Sequence, residues 1–156
     1  MKSLTYYQKA LALKDEAWFF KNGKPRKYIV HSKMVRAKYY IDKAYELTPI
    51  CESIMFLMGQ IYRYFDDTHI AIACYRNILV NKRFNDEDVN CRSFPRDVRD
   101  AIQNDAHFQL YRIYYDLGKH KRSQQHLRWY LNGLKNGSWS LFVPLEKFII
   151  ERGHLL

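Results

Sequence analysis

Residues 55–75 read MFLMGQIYRYFDDTHIAIACY, and the fold turns on this stretch. Ahead of the acidic pair, Met55, Met58, Ile61, Tyr62 and Phe65 return every three or four residues, the spacing of one helical face. Behind it, Ile70, Ala71, Cys74, Tyr75, Ile78 and Leu79 do the same. Asp66-Asp67-Thr68 is a short turn with N-cap character, so the two helices must run antiparallel. Gly59 and Ala71 are small, which lets the pair cross closely. Tyr62 and Tyr75 are expected to fill the space around that crossing.

The same periodicity runs outward in both directions. Upstream, residues 4–20 carry Leu4, Tyr7, Leu11 and Trp18 in phase, with Lys14 off the pattern, and stop at Asn22-Gly23-Lys24-Pro25. Residues 30–47 place Met34, Ala37, Ile41, Ala44 and Tyr45 on one side and end at Thr48-Pro49, because a residue before proline avoids the α region. Downstream, residues 84–95 read as a polar loop. A helix resumes over 96–117 with Ala101, Ile102, Phe108, Leu110, Tyr111 and Tyr114. Gly118-Lys119 turns the chain into a helix over 120–134, with Leu127, Tyr130, Leu131 and Leu134. A last amphipathic helix over 141–152 is phased on Phe142, Leu145, Phe148 and Ile149. Only 6 Gly and 4 Pro punctuate 156 residues, which favours helices throughout. The expectation is one all-α domain over 1–156.

Two of the hairpins repeat. Leu110-Tyr111, Tyr114 and Leu117-Gly118 align on Met58-Gly59, Tyr62 and Phe65-Asp66 at an offset of 52. The same offset sets Ser123 on Ala71, Leu127 on Tyr75, Tyr130 on Ile78 and Leu131 on Leu79. Met55, Met58-Gly59, Tyr62, Ala71 and Tyr75 resemble the tetratricopeptide repeat signature, W-x2-L-G-x2-Y…A-x3-F…P. Ala37, Ile41 and Pro49 match its second half upstream. The resemblance implies hairpins over 4–49, 51–82 and 96–135, stacked as a short right-handed superhelix and capped by the 141–152 helix. Departures are visible. The spacing of 52 exceeds the family's 34 by an insertion of 18 near 86–103. Tyr111 stands where the family has a small residue, so the third pair is expected to sit further apart.

The resemblance also implies a concave face lined by the first helix of each pair. Projected onto this chain, that face takes Lys9 from the first hairpin, Phe56, Gln60, Arg63 and Tyr64 from the second, and Phe108, Arg112 and Tyr115 from the third. Tyr and Arg are frequent anchors of binding interfaces, so a protein or peptide partner with acidic and apolar side chains suits this surface. A carboxylate clamp of the kind some family members use is not expected, because Leu13 replaces the Asn it needs. The implied role is a protein-interaction adaptor or scaffold, with chaperone-like action as a variant of it. Self-association through the last helix is a further option.

Composition sets the bounds. Net charge is +10, with eleven Lys/Arg against four Asp/Glu in residues 1–50. Lys24, Arg26, Lys27, Lys33, Arg36 and Lys43 crowd the first hairpin among Tyr28, Tyr39 and Tyr40. Such a patch can neutralise phosphates while tyrosines stack on bases, so nucleic-acid binding is the alternative reading. Cys51, Cys74 and Cys91 have no metal spacing, and an odd count argues against a disulfide framework, which points to the cytoplasm. No run of apolar residues is long enough to span a bilayer. There is no phosphate loop and no HExxH, and the six histidines show no ligand spacing. His107 and Cys91 can be imagined as a nucleophile pair, but nothing in the spacing positions them. No cofactor, metal or enzymatic activity is expected.

Overall fold

The computed structural model describes residues 2–18, 20–21, 24–25, 28–80, 96–137 and 140, with side chains described outside 20–27 and 96–99. Six helices make up this part of the chain: α1 Lys2–Trp18, α2 His31–Leu47, α3 Glu52–Tyr64, α4 Thr68–Val80, α5 Arg96–Asp116 and α6 His120–Lys135. Between α1 and α2 lies a ribbon of two residues per strand, Phe20–Lys21 against Lys24–Pro25. The expected loop over 84–95 and the expected helix over 141–152 lie outside the described residues.

Consecutive helices pack as pairs: α1 with α2, α3 with α4, α5 with α6. The pairs adjoin in sequence order. α2 touches α3, α4 touches α5, and the leading helices meet as α1 on α3 and α3 on α5. The core follows this order. One cluster joins α1, α2 and α3 through Ala10, Met34, Ile41 and Leu57. A second joins α3, α4 and α5 through Phe56, Tyr75, Ile78 and Leu110. A third holds α5 on α6 through Phe108, Tyr111, Leu127 and Tyr130. Each fully buried aliphatic side chain of this kind contributes about 1.5–3 kcal/mol.

The repeat at offset 52 holds down to single hydrogen bonds. α3 ends at Tyr64 and α5 at Asp116; α4 begins at Thr68 and α6 at His120. Asp66 has φ 59° and Gly118 has φ 72°, the left-handed residue that closes a helix. The Asp66 N–H donates to the Arg63 carbonyl at 3.0 Å, and the Gly118 N–H to that of Tyr115 at 3.0 Å. The Asp67 N–H donates to the Tyr62 carbonyl at 3.0 Å, and the Lys119 N–H to that of Tyr114 at 2.8 Å. These two bonds form the Schellman pattern, which satisfies carbonyls the helix leaves unpaired.

Gly59 makes room for Tyr75, one of the two rings expected around the crossing: a Cβ at Gly59 would lie 2.7 Å from the Tyr75 Cζ. In the third hairpin, where Tyr111 stands in place of a small residue, the Ser123 hydroxyl on α6 donates to the Tyr111 backbone carbonyl on α5 at 2.9 Å, so the two helices touch directly. The Tyr111 ring neighbours Phe108 and Tyr115 on its own helix and shares the buried cluster with Leu127 and Tyr130 of α6. On α1, the buried side is Ser3, Ala10, Lys14 and Ala17, one residue earlier than the Leu4–Trp18 phase. Ala10 and Ala17 share a buried cluster with Ala37 and Ala44 of α2, so small residues let this pair approach, and Leu4 and Trp18 stay exposed.

Candidate functional site

Five of the residues assigned to the binding face, Gln60, Arg63, Tyr64, Arg112 and Tyr115, lie exposed or half-buried on α3 and α5, the leading helices that meet there. The cap that ends α3 leaves Arg63 in its last turn, and its guanidinium pairs with the Asp116 carboxylate at the end of α5. One turn before Asp116, Arg112 is exposed and lies 5.9 Å from the Phe108 ring centroid. Tyr115 is 51% exposed and sits edge-on to His120 at 5.4 Å. Gln60 is half-buried one turn before Tyr64. The Tyr64 hydroxyl hydrogen-bonds the His31 Nδ1 at 2.9 Å, which ties α3 to the start of α2.

The remaining assigned residues lie elsewhere. Phe56 and Phe108 are 7% and 8% exposed and serve as packing. Phe56 meets the Tyr75 ring edge-on at 5.5 Å, and Phe108 lies 5.1 Å from Tyr130. Lys9 sits 5.4 Å from the Tyr40 ring centroid on the first hairpin.

The basic patch is partly neutralised. Lys33 pairs with Glu16 at 2.6 Å, Lys38 with Asp42 at 3.3 Å, and Lys43 with Glu46 at 3.2 Å. The hydrogen bond to Glu46 raises the Lys43 pKa above its ordinary value. Arg36 is exposed. Around these cations lies an aromatic platform. Tyr6 stacks on Tyr40 at 6.0 Å, Tyr39 meets Tyr40 edge-on at 5.4 Å, and Lys43 lies 5.9 Å from the Tyr39 ring. The Lys24 side chain, Arg26 and Lys27 lie outside the described residues.

A third arrangement had no warning in the residue spacing. His107 of α5 and His126 of α6 face each other with Nδ1 atoms 3.0 Å apart. Burial holds both imidazoles well below their ordinary range, at about 4, with the His107 neighbour and the charges of Arg76 and Arg122 adding to the effect at His126. At neutral pH both rings are therefore uncharged, and one Nδ1–H donates to the other ring's bare Nδ1. Tyr114 stacks on His126 at 5.5 Å, and Trp129 lies 5.3 Å from His107 and 5.1 Å from His126. The pair borders a cleft of about 500 Å³ whose other walls are Arg76, Leu79 and Val80 of α4.

Reactive cysteine chemistry finds no support at Cys74: it is buried, and desolvation pushes its thiol up to about 12. Cys51 takes part in a disulfide, which corrects the expectation drawn from the odd cysteine count. Cys91, the candidate partner of His107, lies outside the described residues. Among the described residues no three His, Cys, Asp or Glu side chains converge as a metal site, and no helix is long and apolar enough to cross a membrane. Comparison with protein-family models, curated proteins and solved structures gives no match.

Proposed function

We propose that this chain is a tetratricopeptide-like scaffold that binds an extended acidic segment of a protein partner across the α3/α5 face, without catalysing a reaction. The observation that carries this reading is the Arg63–Asp116 ion pair between the ends of two leading helices, with the exposed Arg112 and Tyr115 in the same last turn of α5. Arg112 and Tyr115 present a guanidinium and a phenol to solvent on one exposed strip of α5. Both side chains combine an apolar body with strong hydrogen-bonding capacity, which suits them to anchor a partner. Asp116 holds Arg63 in place, and an acidic partner group can share that guanidinium's remaining donors.

A second reading has its own observation. The Tyr6–Tyr40 stack, with Lys9 over Tyr40 and Lys43 over the adjoining Tyr39, is a surface on which nucleobases can stack while cations meet phosphates. One experiment separates the two. Tagged chain is used to capture partners from its native cells, beside the double variants Arg112→Glu/Tyr115→Ala and Arg36→Glu/Tyr39→Ala. The scaffold reading expects one discrete protein, lost with the first variant and kept with the second. Salt-sensitive retention of oligonucleotide, lost only with the second variant, would replace it. Equal capture by wild type and the first variant refutes the α3/α5 assignment.

A further inference from the structure

The cleft between α4 and the third hairpin is lined by two chemical kinds of residue. Leu79, Val80 and Trp129 are apolar, and Val80 and Trp129 remain 68% and 45% exposed. Exposed apolar surface of this kind gains free energy when an apolar body covers it. Arg76 and the His107–His126 pair are the polar lining. Arg76 is exposed, so its charge is not consumed by burial within the fold. The two imidazoles bind each other through Nδ1, which leaves one Nε2–H donor and one bare Nε2 on the pair. Neither ring carries charge, so among the described lining residues Arg76 is the charged one and its sign is positive. A cleft of about 500 Å³ with apolar walls and a few polar groups is in the size class of small-ligand sites.

We propose that this cleft binds a small carboxylate carried on an apolar body, with Arg76 holding the carboxylate and Leu79, Val80 and Trp129 holding the body. The guanidinium matches a carboxylate with two parallel N–H donors, a geometry that lysine does not reproduce. A neutral imidazole N–H from the histidine pair supplies a further donor to the same anion. The acid's hydrocarbon part displaces water from the Trp129 indole and the Val80 side chain. The site lies on α4, α5 and α6, away from the α3/α5 strip, so it stands or falls independently of the partner-binding reading.

The test uses octanoate, octanol and acetate as probes of the full chain. Binding is followed through the His107, His126 and Trp129 side-chain resonances by NMR, with each substitution assigning its own signal. Octanoate is expected to shift these signals saturably and to bind about tenfold or more tightly than octanol, the preference a charge-assisted hydrogen bond confers. Acetate, which lacks the body, is expected to bind more weakly than octanoate. Arg76→Gln should bring octanoate down to the octanol level while leaving the octanol affinity unchanged. Arg76→Lys should retain part of the preference. Equal binding of octanoate and octanol, or no saturable shift at millimolar octanoate, overturns the proposal. So does a peptide with a C-terminal leucine carboxylate that outcompetes octanoate, because the occupant would then be a protein end.

Discussion

Replacing Gly59 with alanine tests the packing from which the second hairpin is built. A Cβ there would lie 2.7, 2.9 and 3.0 Å from three atoms of the Tyr75 ring. That ring is 0% exposed and has Phe56 edge-on at 5.5 Å, so it has nowhere cheap to go. Overpacking of this kind costs about 1–3 kcal/mol, and alanine returns about 1 kcal/mol of helix propensity. With three buried ring atoms in the way, a net loss of about 1–2 kcal/mol is expected from the upper part of that range. Tyr75→Leu alone leaves a cavity and should cost about 2–4 kcal/mol. The third hairpin indicates what happens when both change: at the equivalent positions it carries Tyr111 and Leu127, both buried, so bulk on the leading helix goes with a smaller partner. The double variant Gly59→Ala/Tyr75→Leu should therefore be less damaged than the sum of the single ones, with a coupling of about 1–2 kcal/mol. Urea unfolding followed by far-UV circular dichroism measures this, read from the midpoint at constant slope. If the two costs add within about 0.5 kcal/mol, or if Gly59→Ala stabilises the chain, Tyr75 does not occupy the glycine's space and the reasoning fails.

Four further outcomes follow from the same coordinates. Gly118 has φ 72° with open space around it, so Gly118→Ala should cost about 1 kcal/mol from backbone strain alone, while Asp66→Gly at φ 59° should gain up to about 1 kcal/mol; thermal unfolding of the two variants should move in opposite directions. A Cβ at Gly133 would lie 2.1 Å from the Asn104 Oδ1, and Asn104 is 5% exposed, so Gly133→Ala should cost about 1–3 kcal/mol and Asn104→Ala should recover part of it. The Tyr75 hydroxyl is buried without a hydrogen-bond partner among the described residues, so Tyr75→Phe should be neutral or stabilising in the same urea assay. His107 and His126 titrate at about 4 in the fold against an ordinary value of 6.5. The unfolded chain therefore binds protons first, and the stability held above about pH 6.5 is lost as the pH falls toward about 4. His107→Gln/His126→Gln should flatten that part of the stability profile; an unchanged profile would show that the rings do not carry it.

What was legible in the residues was whatever depends on near neighbours in the chain. The turns at Asp66 and Gly118 are set by a few consecutive residues, and the 52-residue offset carries straight through to their hydrogen bonds. The phase of α1 depends on what faces it. Leu4 and Trp18 outweigh Ala10 and Ala17 in hydropathy, yet the alanines are buried because they share the α1–α2 contact with Ala37 and Ala44. The histidine pair was hidden for a similar reason: 19 residues separate its members, on different helices. Antiparallel counting was the available signal. Tyr111 and Ser123, which hydrogen-bond, each lie six residues from Leu117; His107 and His126 lie ten and nine from it. A helical hairpin with its turn at Leu117-Gly118 brings together residues nearly equidistant from that turn, so the pair was recoverable once the turn was placed.

The repeat also separates positions that build the scaffold from positions free to recognise something. At offset 52 several buried sites keep their character, among them Ile61 and Ile113, Ala71 and Ser123, and Phe56 and Phe108. Sites that are half-buried in the second hairpin and exposed in the third change chemistry: Gln60 becomes Arg112, Arg63 becomes Tyr115, and Tyr64 becomes Asp116. Duplicated hairpins with identical surfaces would offer a partner the same contact twice and could not fix its register. Here the unlike residues interlock, since Arg63 of the second hairpin reaches the Asp116 that stands where that hairpin has Tyr64. A partly exposed pair of this kind stabilises a fold by at most about 1 kcal/mol, so fold stability gives little reason for its placement. Arg63→Ala should accordingly leave the urea midpoint nearly unchanged and still weaken partner capture. A large loss of stability with intact capture would assign the pair to the scaffold and remove Arg63 from the recognition surface.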